Sequence, residues 1–220
     1  MYKTATNLYW PLLTNVGGGT DATPGKLHGF GCLLSPSLVI SARHVWREIE
    51  HRYSWPVILK NDGLFRCDIV LEDELQDIII LRTVQCMRTC ESLAPPSGYP
   101  QVARGHPQLG TSAGFITRMT LRDAIKGEQS YTAFSESSVS ILLKKADNEP
   151  IHFMLSGGLF QKGSSGGPVY TPDGTLIGVI VQSMQFVTDF DHPMPAIITA
   201  PVIAPTCVYA NRIEELKKGD

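Results

Sequence analysis

The run Gly-Ser-Ser-Gly-Gly-Pro at residues 163–168 constrains the local fold more than any other segment of the chain. Its glycines let the backbone turn tightly around Ser165 and direct neighbouring amide N–H groups toward one point. Acyl transfer needs such amides to stabilise the oxyanion of the attacked carbonyl. The run therefore predicts a tight loop with Ser165 as a candidate nucleophile, and a loop without chemistry is the alternative.

Composition narrows the class of protein. The chain has 220 residues, of which 43% are hydrophobic and 18% charged, and its formal net charge is -2. This charge gives no reason to expect nucleic acid or an anionic membrane surface as a partner. No apolar run approaches the length of a membrane-spanning helix, and the first residues do not resemble a signal peptide. We expect a globular, cytoplasmic protein.

The five cysteines predict neither a disulfide framework nor a metal site. Their number is odd and their spacing scattered. Cys86 and Cys90 resemble half of a metal site, but no second Cys/His pair follows at ligand spacing. We therefore expect no metal, no cofactor and free thiols in a reducing compartment.

Short apolar runs separated by turn residues predict an all-β chain, and twenty glycines and fifteen prolines support many turns. A Pro/Gly-rich linker at 94–100 divides it into a β-barrel at 1–93 and a second β-barrel at 101–205, followed by a C-terminal helix at 206–220. The predicted architecture is two packed antiparallel β-barrels with a short C-terminal helix. The expected strands are residues 30–34, 37–42, 57–60, 67–72, 78–83, 114–119, 131–134, 139–143, 151–155, 169–171, 176–182 and 197–202.

A serine nucleophile needs a base, and His44 is the candidate among six histidines. It follows the strand-like segment 38–42 and a small-residue turn, which would project the imidazole from a fixed backbone. An imidazole base also needs a group that holds its tautomer. Asp77 is the candidate because it opens an apolar run, where a buried carboxylate is costly unless its charge is paired or hydrogen-bonded. Asp68 is the second choice. The other histidines, which have no comparable setting, are His28, His51, His106, His152 and His192.

Three segments carry a family resemblance. Residues 41–44 (SARH) resemble the Thr/Ser-Ala-Ala-His segment of the chymotrypsin-like, or trypsin-fold, serine peptidases. Residues 77–81 (DIIIL) resemble their Asp-Ile-Ala-Leu-Leu segment, and residues 163–168 resemble their Gly-Xaa-Ser-Gly-Gly-Pro. The order His, Asp, Ser also matches, and the resemblance spans about residues 29–182.

The resemblance implies a serine endopeptidase, a hydrolase that cleaves protein or peptide substrates through an acyl-enzyme on Ser165. His44 would be the general base and then the acid, and Asp77 would orient it. The backbone N–H groups of Gly163 and Ser165 would form the oxyanion hole. By the family register, Leu159 would lie at the base of the specificity pocket. Val181 and Ser183 would form one wall, which favours an apolar or small aliphatic substrate side chain.

Two departures from the secreted members resemble the bacterial Htr/Deg-type and other intracellular trypsin-like peptidases. Val45 follows His44 where secreted relatives carry a cysteine. Ser164 stands where zymogen-activated relatives carry an aspartate, so activation by N-terminal cleavage is not expected. Arg43 replaces a small residue, and the sequence offers no reason for it.

Two other functions remain open from the sequence. One is a catalytically silent or partner-gated binding domain of the same fold, working within a larger intracellular assembly or under a regulatory partner. The other is an α/β-hydrolase esterase, because residues 163–167 also satisfy Gly-Xaa-Ser-Xaa-Gly. That fold needs a helix directly after the serine and places its Asp and His downstream. Pro168 and a Pro-Asp-Gly turn follow Ser165 instead, which disfavours it.

Overall fold

A computed structural model describes residues 12–16, 24–52, 56–60, 63–89, 98–123, 127–143, 151–158, 160–161, 163–188 and 196–219. Leu159 and residues 90–97 lie outside these ranges. Seven of the described strands lie before residue 90, and the other six lie after residue 111. The exact division of the chain at 94–100 stays a prediction.

Seven antiparallel strands form one sheet in the first half of the chain. Their order across the sheet is β2-β1-β5-β6-β7-β4-β3. The two outermost strands, β2 and β3, follow each other along the chain with only Gly31 between them, so the sheet curls round until its ends meet. The first two strands were not predicted. The strands are β1 (Leu12–Val16), β2 (Pro24–Phe30), β3 (Cys32–Leu33), β4 (Leu38–Ala42), β5 (Pro56–Lys60), β6 (Gly63–Asp73) and β7 (Ile78–Thr89).

Strands β4 and β7 lie where the two halves of the chain meet. All five residues of β4 are buried, and so are the first four of β7. The same apolar cluster contains Val179 and Val202 from the second half. Each such side chain contributes about 1.5–3 kcal/mol when buried, so this cluster holds the halves together. The register pairs Ala42 with Ile78, which brings the residues after β4 beside the residue before β7.

Helix α1 (Arg43–Arg52) follows β4 directly and contains His44. The small-residue turn expected before His44 is absent, because the helix begins directly after β4. Val45, Trp46 and Ile49 recur at helical spacing, and all three are buried. This apolar periodicity was the signal for a helix.

Six strands form a closed barrel in the second half, in the order β10-β13-β12-β11-β8-β9. The predicted strands at 131–134 and 139–143 are parts of one long strand, β9. Barrel closure pairs every outer edge, which explains why these strands need no flanking helix. The strands are β8 (Ser112–Asp123), β9 (Gly127–Leu143), β10 (His152–Ser156), β11 (Pro168–Tyr170), β12 (Leu176–Thr188) and β13 (Ala196–Pro205).

The chain ends in a 3-10 helix (Thr206–Tyr209) and helix α2 (Ala210–Lys217). Ile213 of α2 is fully buried in the cluster that contains β4 and β7. The C-terminal helix, although it follows the second barrel, therefore packs on the first sheet.

None of the described helices is long and apolar enough to cross a membrane.

Candidate active site

The loop at 163–168 turns sharply because two of its glycines have positive φ. Gly163 has φ 98° and Gly166 has φ 79°. A Cβ atom at Gly166 would lie 2.0 Å from the Phe30 carbonyl oxygen and 2.3 Å from Ser41 Oγ. Only glycine fits such a conformation and approach without strain. The tight loop predicted around Ser165 is therefore present.

Ser164 supports the loop from the protein interior. Its side chain is fully buried. The hydroxyl lies 2.9 Å from Thr117 Oγ1 on β8 and donates to the Gln161 carbonyl at 2.8 Å. These contacts fix the residue directly before Ser165. Ser164 stands at the position where the resemblance implies the loss of an aspartate. Neutral hydroxyl groups therefore occupy this position.

Two backbone N–H groups of the loop, those of Gly163 and Ser165, have no acceptor among the residues that the structure describes. The next amides along the loop are engaged, since Gly166 donates to the Ile180 carbonyl and Gly167 to the Ser164 carbonyl. Gly163 and Ser165 also line the same open cavity. They are the pair of amides predicted to form an oxyanion hole.

The His44 ring contacts Asp77. His44 Nδ1 lies 2.5 Å from Asp77 Oδ2, and the His44 backbone N–H donates to Asp77 Oδ1 at 2.8 Å. The carboxylate that accepts from Nδ1 selects the tautomer whose Nε2 carries a free lone pair. His44 is the second residue of α1, so the same carboxylate satisfies a backbone donor that the helix cannot pair internally. Asp68, the second choice, lies on an exposed position of β6 instead.

Asp77 occupies a strained position at the end of the β6–β7 turn. Its φ is 55°, a left-handed conformation that aspartate tolerates better than most residues. Its carbonyl accepts from the Arg43 N–H at 2.9 Å. The side chain and the backbone of Asp77 together therefore hold the start of α1.

The ion pairs of Arg43 give this residue a role that the sequence did not suggest. Its guanidinium contacts Glu72 Oε1 at 2.5 Å and Glu74 Oε2 at 3.4 Å. Glu72 also accepts hydrogen bonds from Arg47, one helical turn further along α1. These contacts join α1 to the end of β6, next to the turn that carries Asp77.

An open cavity of about 730 Å³ brings the predicted residues together. His44, Asp77, Gly163 and Ser165 line it, as do the two predicted wall residues Val181 and Ser183. Among the described contacts, none is a hydrogen bond between the Ser165 hydroxyl and the His44 ring. Such bonds are often long before substrate binds. The remaining lining residues are Leu75, His152, Phe160, Gln182, Gln185 and Thr199.

Several of these lining residues were missed from the sequence. His152 begins β10 and had no setting that distinguished it from the other histidines. Thr199 lies opposite Gln185 in the pairing of β12 with β13, and only this strand register places Thr199 beside the cavity. The predicted base of the pocket, Leu159, lies outside the described residues.

The described cysteines contribute no reactive group to this cavity. Cys32 is fully buried, and burial raises the pKa of its thiol to about 12. Its sulfur lies 3.1 Å from the Tyr170 hydroxyl. A thiol with a raised pKa is a poor nucleophile at neutral pH.

Comparison with known proteins identifies the fold. No family model and no curated protein sequence matches this chain. Solved structures do match along nearly its whole length. Two structures of kallikrein-related peptidase 10, one of them a complex with Zn2+, have TM-scores of 0.62 and 0.64 at 16% and 17% identity, and each alignment covers 99% of this chain and 98% of the other. The MamO protease domain from Magnetospirillum magneticum has a TM-score of 0.57 at 14% identity, covering 96% of this chain and 98% of the other.

The chain therefore has the chymotrypsin-like fold of the trypsin-like serine peptidases. This confirms the fold class expected from the sequence. At these identities the likeness concerns the fold, and the chemistry must be argued from the site itself.

Proposed function

We propose that the protein is a serine endopeptidase with Ser165 as nucleophile, His44 as general base and Asp77 as the residue that orients His44. One observation supports this above all. A histidine whose Nδ1 contacts a carboxylate shares a cavity with a serine whose own N–H, like that of Gly163, has no acceptor among the described residues. Nucleophile, base, orienting group and oxyanion donors are the parts that acyl transfer requires.

Each part would have a defined step. His44 Nε2 takes the proton of the Ser165 hydroxyl as its oxygen attacks the substrate carbonyl. The N–H groups of Gly163 and Ser165 stabilise the tetrahedral oxyanion. The His44 imidazolium, stabilised by Asp77, then protonates the leaving amine. A water molecule activated by His44 hydrolyses the acyl-enzyme and restores Ser165.

The proposed substrate is a polypeptide whose side chain before the scissile bond enters the cavity beside Val181. The cavity that Ser165 lines is open and has a volume of about 730 Å³. Lining groups are both apolar, as at Phe160, and polar, as at Gln185. The expected preference for an apolar or small aliphatic side chain remains a prediction, and so does the cytoplasmic location.

A second candidate function is a catalytically silent or partner-gated binding domain of the same fold. We keep this second candidate because, among the described contacts, no hydrogen bond joins the Ser165 hydroxyl to the His44 ring. In that case a partner would have to bring the two side chains together before acylation.

A fluorogenic peptide library tests the proposal. The wild-type chain should cleave it, with products mapped by mass spectrometry to give the residue before the cut. Ser165→Ala should cleave nothing above the uncatalysed rate. Ser137→Ala is the matched control, since this serine lies on β9 and bonds the Ser156 carbonyl at 2.7 Å. An inactive wild type that stays inactive with added cell extract would favour the silent domain.

A further inference from the structure

The C-terminal segment, which consists of the 3-10 helix and α2, is attached to the β6–β7 hairpin at two points, one on each side of Asp77. Before Asp77, the Tyr209 hydroxyl donates to Asp73 Oδ2 at 2.8 Å. After Asp77, the Arg82 guanidinium donates to the Leu216 carbonyl at 2.8 Å. The last element of the chain therefore contacts the hairpin on both sides of the turn that carries this carboxylate.

Asp73 connects Tyr209 to the turn. Its Oδ1 accepts from the Gln76 N–H at 2.9 Å, while its Oδ2 accepts from Tyr209. Two hydrogen bonds from opposite sides fix the orientation of one carboxylate, and charge-assisted bonds of this kind are among the stronger ones in proteins. The turn is thereby held relative to the C-terminal segment, and Gln76 immediately precedes Asp77.

Asp77 depends on external support because its backbone is strained. It is the one non-glycine residue with positive φ among the described residues. Its own N–H makes only a long bond, 3.3 Å, to the Glu74 carbonyl. Strained conformations persist where the surroundings over-determine them. A turn released from Asp73 would relax, and the relaxation would move both carboxylate oxygens that contact His44.

We infer that Tyr209 is a positioning residue for the Asp77–His44 pair and that it acts through Asp73. The inference rests on the proposed peptidase function for its effect on rate, and on geometry alone for its effect on His44. Tyr209 is 7% exposed, so its hydroxyl has little access to water as an alternative partner. Burial, together with the bond to Asp73, raises the pKa of Tyr209 and keeps the hydroxyl a donor.

If Tyr209 positions the Asp77–His44 pair, loss of its hydroxyl should affect the chemical step and not the binding of substrate. Substrate would enter the cavity beside Ser165, and Tyr209 is not among the residues that line this cavity. Loss of the Tyr209 hydroxyl should therefore lower kcat and leave KM unchanged. A residue that served stability alone would change neither in the folded protein.

Tyr209→Phe tests this in the full chain, because it keeps the buried ring and removes only the hydroxyl. Tyr170→Phe is the matched control: that tyrosine is also buried, and its hydroxyl contacts Cys32 rather than the turn. Proton NMR would follow the His44 Nδ1–H resonance, which a bond to a carboxylate moves far downfield. Labelling of Ser165 by a fluorophosphonate would give the rate of attack.

In Tyr209→Phe the downfield resonance should broaden or move upfield. The labelling rate should fall about tenfold or more, the equivalent of one hydrogen bond to a charged group. Tyr170→Phe should leave both unchanged. The inference is overturned if the resonance is the same in wild type and Tyr209→Phe, or if both variants change it in proportion to their loss of stability.

If Tyr209→Phe does not fold, Asp73→Asn provides the same comparison, because it removes the charge that joins Tyr209 to the turn. The NMR measurement requires no turnover. A wild type that shows the resonance but resists labelling would contradict the proposed function while still testing the role of Tyr209.

Discussion

The backbone N–H of Phe30 donates to the carbonyl oxygen of Ser165 at 2.9 Å. Phe30 ends β2 in the first sheet, whereas Ser165 lies in a loop of the second barrel. The neighbouring Gly166 N–H donates to the Ile180 carbonyl of β12 at 2.7 Å. The backbone at the candidate nucleophile is thus attached to both halves, and the distance from Ser165 to the His44–Asp77 pair depends on how the halves pack.

Gly166→Ala should disrupt this attachment. The new Cβ would lie 2.0 Å from the Phe30 carbonyl oxygen. This oxygen is a backbone atom, so it cannot move aside as the end of a flexible side chain could. Gly110→Ala is the matched control, since Gly110 has a similar φ of 83° but nothing within 4 Å of its Cβ position. We expect Gly110→Ala to cost about 1 kcal/mol from φ strain alone. Gly166→Ala should cost at least about 3 kcal/mol in urea unfolding and abolish labelling of Ser165; equal losses would contradict the close approach.

Asp77→Asn should lower turnover by about 10⁴-fold, because the amide would favour the wrong tautomer of His44. KM should change little, since asparagine has nearly the same size as the aspartate that lines the cavity. Asp68→Asn is the control, because Asp68 is exposed on β6 and distant from the turn. Peptide kinetics on both variants distinguish them. If Asp68→Asn proved the more damaging change, the assignment of Asp77 would be wrong.

Ser164→Ala should weaken the interactions that hold the loop at 163–168 to the protein interior. It removes the contacts to Thr117 and to the Gln161 carbonyl inside the protein. The expected loss of unfolding free energy is about 1–2 kcal/mol, with slower labelling of Ser165. Ser137→Ala, which removes a hydrogen bond on β9 away from the loop, should leave labelling of Ser165 unchanged. Normal labelling by Ser164→Ala would mean that the loop keeps its shape without this network.

Glu72 makes stability depend on pH. The hydrogen bonds from Arg47, and then from Arg43, lower the pKa of its carboxyl from 4.5 to about 2. A carboxylate whose pKa is depressed by folding stabilises fully above its unfolded value, and this stability is lost as the pH falls through the folded value. Because Glu72 is partly exposed, solvent screening limits the contribution to about 1 kcal/mol.

Urea unfolding of wild type and Glu72→Gln from neutral pH to pH 2 measures this contribution. The difference in stability between the two proteins should be constant above the unfolded pKa of 4.5 and should shrink as the pH approaches 2. A difference that does not vary with pH would show that the ion pairs of Glu72 contribute nothing.

Local patterns in the sequence predicted most of the strands after β2 and the tight loop around Ser165. The apolar run that begins at Ile78 predicted a buried strand, and its position in the core confirms it. The glycines around Ser165 predicted a tight loop, and the approach of Phe30 to Gly166 explains why they are needed. In each case, neighbouring residues carry the information.

Contacts between distant segments could not be predicted in this way. Arg43 had no evident role until β6 brought Glu72 beside it, and His152 reaches the cavity only through closure of the second barrel. Tyr209 meets Asp73 across more than half of the chain. The helix at 43–52 is a different case, because the spacing of Val45, Trp46 and Ile49 is a local pattern that predicts a helix.

Intact-mass spectrometry after reaction with a fluorophosphonate tests the central claim most directly. We expect one phosphonyl group per chain, located by peptide mapping on Ser165, in the wild-type protein at neutral pH. Ser165→Ala should gain no mass under the same conditions. A folded wild type that gains no mass, or a Ser165→Ala variant labelled to the same extent, would contradict the assignment of Ser165 as the nucleophile.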